Sequence, residues 1–189
     1  GFTGLLGTRL AEALLERRPH CRIVALVRQS SLVRARDQVA GISARIGDLE
    51  GRVEIVQGDL EQPGLALADT AHIASQVREI FHLAARYELS MTAAQAARTN
   101  VEGTRCLLDF ASSCGRLERL HYASTCYVAG THSGPFEEAE LDVGQGFLNN
   151  YDSTKFAAEK LVRERMPQLP TTIYRPAMVV GDSRTGEIS

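Results

Sequence analysis

Gly1-Phe2-Thr3-Gly4-Leu5-Leu6-Gly7 opens the chain, and Leu6, Leu10 and Leu14 carry a helical spacing out of it until Pro19 intervenes. The spacing G-x-x-G-x-x-G ahead of a helix over residues 5–17 suits a tight turn. Glycines let backbone approach a pyrophosphate closely, and the free N–H groups of the helix's first turn then face the phosphates. Gly1, Thr3, Gly4, Leu5 and Leu6 are the candidate contacts. A helix start with spare glycines would read the same way. An ATP-binding P-loop is excluded, because no Lys-Ser or Lys-Thr pair follows the last glycine.

Outward from this turn, apolar runs of strand length alternate with helical patterns. Strands are expected at 22–27, 53–56, 79–84, 117–123 and 171–174. Helices are expected at 31–46, 69–77, 92–113 and 150–166. Residues 130–148 hold five glycines or prolines and several acids, so they read as a loop. Such alternation predicts an α/β fold, a Rossmann-type doubly wound parallel sheet forming one domain over residues 1–189, with ligands at the carboxyl ends of the strands. The glycine turn stands at residue 1 with no strand ahead of it, and residues 186–189 carry no closing element. The sheet is therefore expected to lack its first strand and a C-terminal substrate region, as a fragment would.

The residue after the 22–27 strand bears on the cofactor. An acid there suits the ribose of NAD; this chain has Arg28, 21 positions after Gly7, with Gln29, Ser30 and Ser31 behind it. A guanidinium beside hydroxyls suits a 2′-phosphate, so NADPH is favoured over NADH, with a solvated strand end as the plain alternative. Asp59, in Gly58-Asp59-Leu60, could accept from an adenine amino group or simply form a turn. Ala84-Ala85 leave room for a cofactor, or are ordinary core.

Tyr151-Asp152-Ser153-Thr154-Lys155 has the spacing Y-x-x-x-K at a helix start. Residues four apart share a helical face, so the Lys155 ammonium is expected to lower the pKa of the Tyr151 phenol and fit it for proton transfer at a carbonyl. Upstream, Tyr122-Ala123-Ser124-Thr125-Cys126 leaves a strand, which puts a hydroxyl at the sheet's carboxyl edge. Thr125 is the expected donor to the substrate oxygen, with Ser124 the near alternative. No base is placed to activate Cys126, which reads as packing.

Bulk properties narrow the remainder. Among 189 residues, 44% are hydrophobic and 23% charged, with a net charge of −2 and no basic run, so nucleic acid is not expected as a partner. No apolar stretch is long enough to span a membrane. The cysteines Cys21, Cys106, Cys114 and Cys126 form no C-x-x-C pair and the histidines no ligand spacing, so no metal is expected. Reduced thiols and a cytoplasmic location are the expectation.

These residues resemble the extended short-chain dehydrogenases over essentially the whole chain. The resemblance rests on Gly1/Gly4/Gly7, Gly58-Asp59-Leu60, His82-Leu83-Ala84-Ala85, Asn100-Val101-Glu102-Gly103-Thr104, Ser124-Thr125, Tyr151/Lys155 and Arg175-Pro176. It implies that Thr125 polarises the substrate, that Tyr151 transfers the proton and that Lys155 also holds the nicotinamide ribose. It places Leu60, Asn100, Ser124, Arg175 and Pro176 among the cofactor contacts. Gly58-Asp59-Leu60-Glu61-Gln62-Pro63-Gly64-Leu65, the loop Glu140-Leu141-Asp142-Val143-Gly144-Gln145-Gly146-Phe147 and Asn149 are similar to one branch, the acyl-thioester and fatty acyl-CoA reductases. That implies hydride reduction of a thioester on coenzyme A or a carrier protein, and pairing into a homodimer. Thr154 departs from the Ser usual before the lysine. An NAD-dependent sugar-nucleotide epimerase or dehydratase, or a ketone or alcohol dehydrogenase, is the enzymatic alternative. A non-catalytic nucleotide-binding module is the alternative of another class.

Overall fold

A computed structural model describes residues 1–87, 91–181 and 186, and among these described residues five strands and six α-helices follow one another along the chain. The tail stretch 187–189 lies outside the described residues. Helix α1 (Leu5–Arg17) starts at Gly4, with Gly7, Ala11 and Leu15 on its buried face. That face meets Ile42 of α2 (Leu32–Ile46) and Leu49 beyond its end, with Phe2, Ile23 and Val53 packed around them. β1 (Ile23–Val27) and β2 (Val53–Gln57) pair in parallel, Ile23 opposite Val53 and Val27 opposite Gln57.

A second ladder is also wholly parallel. β3 (Glu79–His82) pairs with β4 (Arg119–Ala123), and β4 with β5 (Thr171–Tyr174). Its apolar face meets α3 (Thr70–Gln76), α5 (Gly103–Ser113) and α6 (Asn150–Arg165), burying Leu107, Leu108, Phe110, Leu120, Tyr122, Ala158 and Val162. A parallel ladder covered by crossover helices is the expected Rossmann-type class. The expected single sheet is present as two ladders, and among the described residues no hydrogen-bonded strand pair joins them. Gly1 lies against Leu83 and Ala84 just past β3, so the turn ahead of α1 stands at the carboxyl end of the second ladder. The Arg18–Glu79 pair, at 2.7 Å, ties the far end of α1 to the start of β3.

Two elements differ from the sequence reading. β3 stops at His82, and the next two residues, Leu83 and Ala84, lie against Gly1. The helix expected over 92–113 is broken into α4 (Ala93–Ala97), a π-helical turn at Arg98–Glu102, and α5. The π turn admits one extra residue, and the side chain of Asn100 within it is buried among polar partners. Apolar periodicity alone does not register a one-residue insertion of this kind.

Candidate active site

Helix α6 begins at a two-way cap. Asn149 Oδ1 accepts from the Asp152 N–H at 2.8 Å, and Asn149 Nδ2 donates to Asp152 Oδ2 at 2.8 Å. The cap places Tyr151 in the first turn, half-buried, with Tyr87 edge-on to its ring at a centroid distance of 4.8 Å. One turn on, Lys155 is buried, and its Nζ donates to Ala123 O at 2.7 Å and to Tyr122 Oη at 3.3 Å. Burial lowers its pKa to about 8, against the opposing pull of Glu159.

The Tyr151 expectation is corrected here. Burial raises the phenol's pKa, and Asp152, Tyr87, Cys126 and Tyr127 push the same way. The ammonium that was expected to lower it is held by Ala123 and Tyr122. Cys126 and Tyr127 act on Tyr151 because the turn after β4 faces α6. Thr125 starts that turn in an extended conformation, buried, and its Oγ1 accepts from the Tyr127 N–H at 3.3 Å. Thr125, Tyr151 and Lys155 thus gather where β4 meets the start of α6.

The other expected contacts divide into two groups. At the glycine turn, Gly4 caps α1 with no side-chain hydrogen bond, and a Cβ there would meet only Gly1 O, at 3.4 Å. The first N–H groups of α1, beside Thr3, Leu5 and Leu6, therefore face an open side. Arg28 is exposed at the end of β1, near enough that its charge acts at Gly1. This cradle fits a dinucleotide pyrophosphate, with a cation beside it for ribose or 2′-phosphate. Ala84 and the exposed Ala85 border the same turn.

The second group is committed inside the protein. Asn100 Oδ1 accepts from Arg86 N at 2.8 Å, and its Nδ2 donates to Arg86 O and to Thr154 Oγ1. Asn100 is thus a tie between the segment after β3 and α6, and Thr154, the residue unusual for its place, receives the tie. Asp59 Oδ1 accepts from Glu61 N at 2.9 Å, a local turn, and Leu60 packs against the core. Ser124 donates to Glu159 Oε2 at 2.5 Å, Arg175 is paired with the same carboxylate, and Pro176 O accepts from Cys126 N. The Ser124 and Arg175 side chains, expected at the cofactor, are thus engaged by the Glu159 carboxylate.

Three buried polar groups near these residues were given no role by the sequence reading. Glu159 is fully buried one turn after Lys155; its pKa, raised by burial, is brought down overall by hydrogen bonds from Arg175 and Ser124 and by the charges of Arg175 and Arg163. Tyr122 is fully buried, and burial raises its pKa. His82 Nε2 lies 3.2 Å from Thr104 Oγ1, beneath the site. The i, i+4 spacing Lys155, Glu159, Arg163 was the available signal, but such rows are usually solvated.

Burial, and then the charge of Lys155, push the His82 pKa down to about 3. The unfolded chain therefore takes up that proton first. The stability His82 contributes is complete above pH 6.5 and falls as pH drops from 6.5 toward 3, at ~1.4 kcal/mol per unit. Urea melts at pH 7 and pH 5 check this: the gap between them should narrow in His82→Gln. An unchanged gap would mean the histidine is not buried neutral.

Among the described residues no cluster of His, Cys, Asp or Glu could hold a metal, and no helix is long and apolar enough to cross a membrane. The chain matches the male sterility protein family over residues 1–189. It is 30% identical to the nonribosomal peptide synthetase asaC of Aspergillus flavus, over 99% of this chain and 20% of that protein. It is 26% identical to the fatty acyl-CoA reductase wat of Drosophila melanogaster, over 95% of this chain and 42% of that protein. The terminal R domain from the myxalamid PKS-NRPS biosynthetic pathway superposes with a TM-score of 0.87 at 35% identity, over 100% of this chain and 50% of that one. The chain thus spans between 20% and 50% of the length of these relatives. On its fold, its glycine turn and this match, the chain belongs to the male sterility protein family, an NAD(P)-binding reductase branch of the extended short-chain dehydrogenases.

Proposed function

We propose that this domain reduces an acyl thioester, carried on coenzyme A or on a carrier protein, to the aldehyde, with NADPH preferred. One observation carries the reading: Thr125, Tyr151 and Lys155 stand where β4 meets the start of α6, at the carboxyl edge of a parallel ladder, and a phosphate-fitted glycine turn stands at the same edge past β3. The likeness to a synthetase, to a terminal R domain and to a fatty acyl-CoA reductase supports a thioester over a sugar nucleotide. Arg28 supports NADPH, since an acid at that place would suit NAD.

Bound along the glycine turn, the dinucleotide would supply a hydride. The protein's part lies in placing and protonating the carbonyl. Thr125 donates a hydrogen bond to the thioester oxygen, where negative charge grows as the carbonyl carbon becomes tetrahedral. Tyr151 gives its phenolic proton to that oxygen, forming a hemithioacetal. The hemithioacetal collapses to aldehyde and free thiol. Lys155, anchored by Ala123 O and Tyr122, holds a positive charge one helical turn from the phenol.

The test is NADPH oxidation followed by absorbance in the intact protein, with short- and long-chain acyl-CoA and with NADH as control. Thioester-dependent oxidation that prefers NADPH is expected. Oxidation only with ketones, alcohols or sugar nucleotides would overturn the thioester and keep the fold. Arg28→Glu is expected to lower the NADPH-over-NADH preference by about 30-fold, the loss of a charge-assisted pair plus a repulsion. An unchanged preference would remove Arg28 from the 2′-phosphate.

A further inference from the structure

Two segments carry the reacting groups, Ser124–Thr125 at the end of β4 and Tyr151–Lys155 on α6, and a long irregular loop separates them in sequence. Their relative placement needs a cross-link, and one buried carboxylate supplies it. Glu159 Oε2 accepts from Ser124 Oγ at 2.5 Å and from Arg175 Nε at 3.2 Å. Its Oε1 accepts from Arg175 Nη2 at 2.8 Å and from Arg163 Nε at 3.0 Å. The carboxylate is 0% exposed. It thus binds the residue before Thr125, the segment after β5, and its own helix.

The two guanidiniums then grip the loop. Arg175 donates to Glu137 O at 3.1 Å and to Glu140 O at 2.6 Å. Arg163 donates to Ala139 O at 2.7 Å, to Glu138 O at 2.8 Å and to Glu140 O at 3.2 Å. Four successive carbonyls of an irregular segment are held by two side chains that share one counter-charge. Phe136 lies under Arg175 at 5.2 Å, and Lys160 takes Asp142 at 2.7 Å. The loop returns to the β4 turn through Gln145, whose Nε2 donates to Val128 O at 2.8 Å. A surface ion pair could not set a geometry this way, but a buried, fully bonded one is costly to break.

We propose that Glu159 is a positioning residue for the reaction, fixing Thr125 relative to Tyr151 by joining Ser124, Arg175, Arg163 and the 137–140 loop around one buried carboxylate. This rests on the reductase reading above for the identity of the reaction, but not on the thioester as substrate. Its effect is on the chemical step, because a displacement of about 1 Å between reacting groups costs roughly 100-fold in rate. The dinucleotide cradle at Gly1–Gly7 is on α1 and shares none of these bonds.

The experiment compares Glu159→Gln, Glu159→Asp and Ser124→Ala in the intact protein, with acyl-CoA, an aldehyde and a ketone as substrates. Glu159→Gln is expected to lower kcat about 100-fold with KM and NADPH Kd within about threefold. Glu159→Asp, which keeps the charge, should recover part of the loss. Ser124→Ala removes a single bond to the carboxylate and should lower kcat about 10-fold in a protein that still folds, with a melting temperature lowered by only a few degrees. If Glu159→Gln does not fold, Ser124→Ala decides alone. Wild-type kcat in Ser124→Ala, or a kcat that falls only with the folded fraction, overturns the proposal. A wild type that reduces the aldehyde or ketone but no thioester overturns the thioester reading, and the three variants are then compared on the substrate it takes. A wild type that reduces none of them overturns both.

Discussion

Tyr151→Phe is expected to cut turnover about 1,000-fold and to leave NADPH affinity within about twofold, the signature of a lost general acid in an intact fold. The ring itself stays, so the edge contact with Tyr87 and the start of α6 survive. Only the hydroxyl, and with it the proton it would give, is removed. The raised pKa of this phenol keeps it in the proton-donating form. At neutral pH Tyr151 is protonated, ready to give a proton to an oxygen gaining charge, and nearly devoid of phenolate to take one back. The rate of reduction should therefore show no limb from the phenol below its ordinary pKa of 10. A descending limb near pH 8 is instead expected from Lys155, whose charge is lost through about 8. Stopped-flow NADPH oxidation from pH 6 to pH 10, in wild type and variant, checks both points. A variant that keeps turnover would strip Tyr151 of its role.

The sequence read the fold at the level of its alternation and the site at the level of its residue types. Glycine spacing, strand-length apolar runs and Y-x-x-x-K each encode a local backbone geometry, and local geometry is legible. What went unread is the burial of charge. Glu159 and Arg163 look like one row on a solvated helix face, since a carboxylate and a guanidinium four residues apart normally are. Only the approach of Ser124, Arg175 and the 137–140 carbonyls turns that row inward, and those partners come from three other segments. Lys155 shows the same limit. Its position beside Tyr151 on the helix was legible, but its partners Ala123 and Tyr122 belong to β4, and they take the ammonium. Asn100 was legible as part of a motif. Its tie to Thr154 required the π turn, which no periodicity announces.

The second large effect separates two glycines that the spacing G-x-x-G-x-x-G treats alike. A Cβ at Gly7 would lie 2.0 Å from Gly1 O and 2.7 Å from Gly1 C, with Phe2 Cα at 2.9 Å. All three are backbone atoms of the turn itself, so nothing flexible can give way. Gly7→Ala must open the turn, at a cost of about 3 kcal/mol in stability and a loss of dinucleotide binding. A Cβ at Gly4 meets Gly1 O at an ordinary 3.4 Å, and its φ of −87° suits any residue. Gly4→Ala should therefore fold, with a melting temperature lowered only by the small cost of alanine at a helix N-cap. Its methyl group would stand on the open side of the helix start, where the pyrophosphate is expected to lie, and NADPH affinity should fall about 30-fold or more, as for close backbone approach blocked by a side chain. Melting curves with and without NADPH distinguish the two. If Gly4→Ala keeps full NADPH affinity, the dinucleotide does not lie on that face, and the third glycine alone explains the motif as packing.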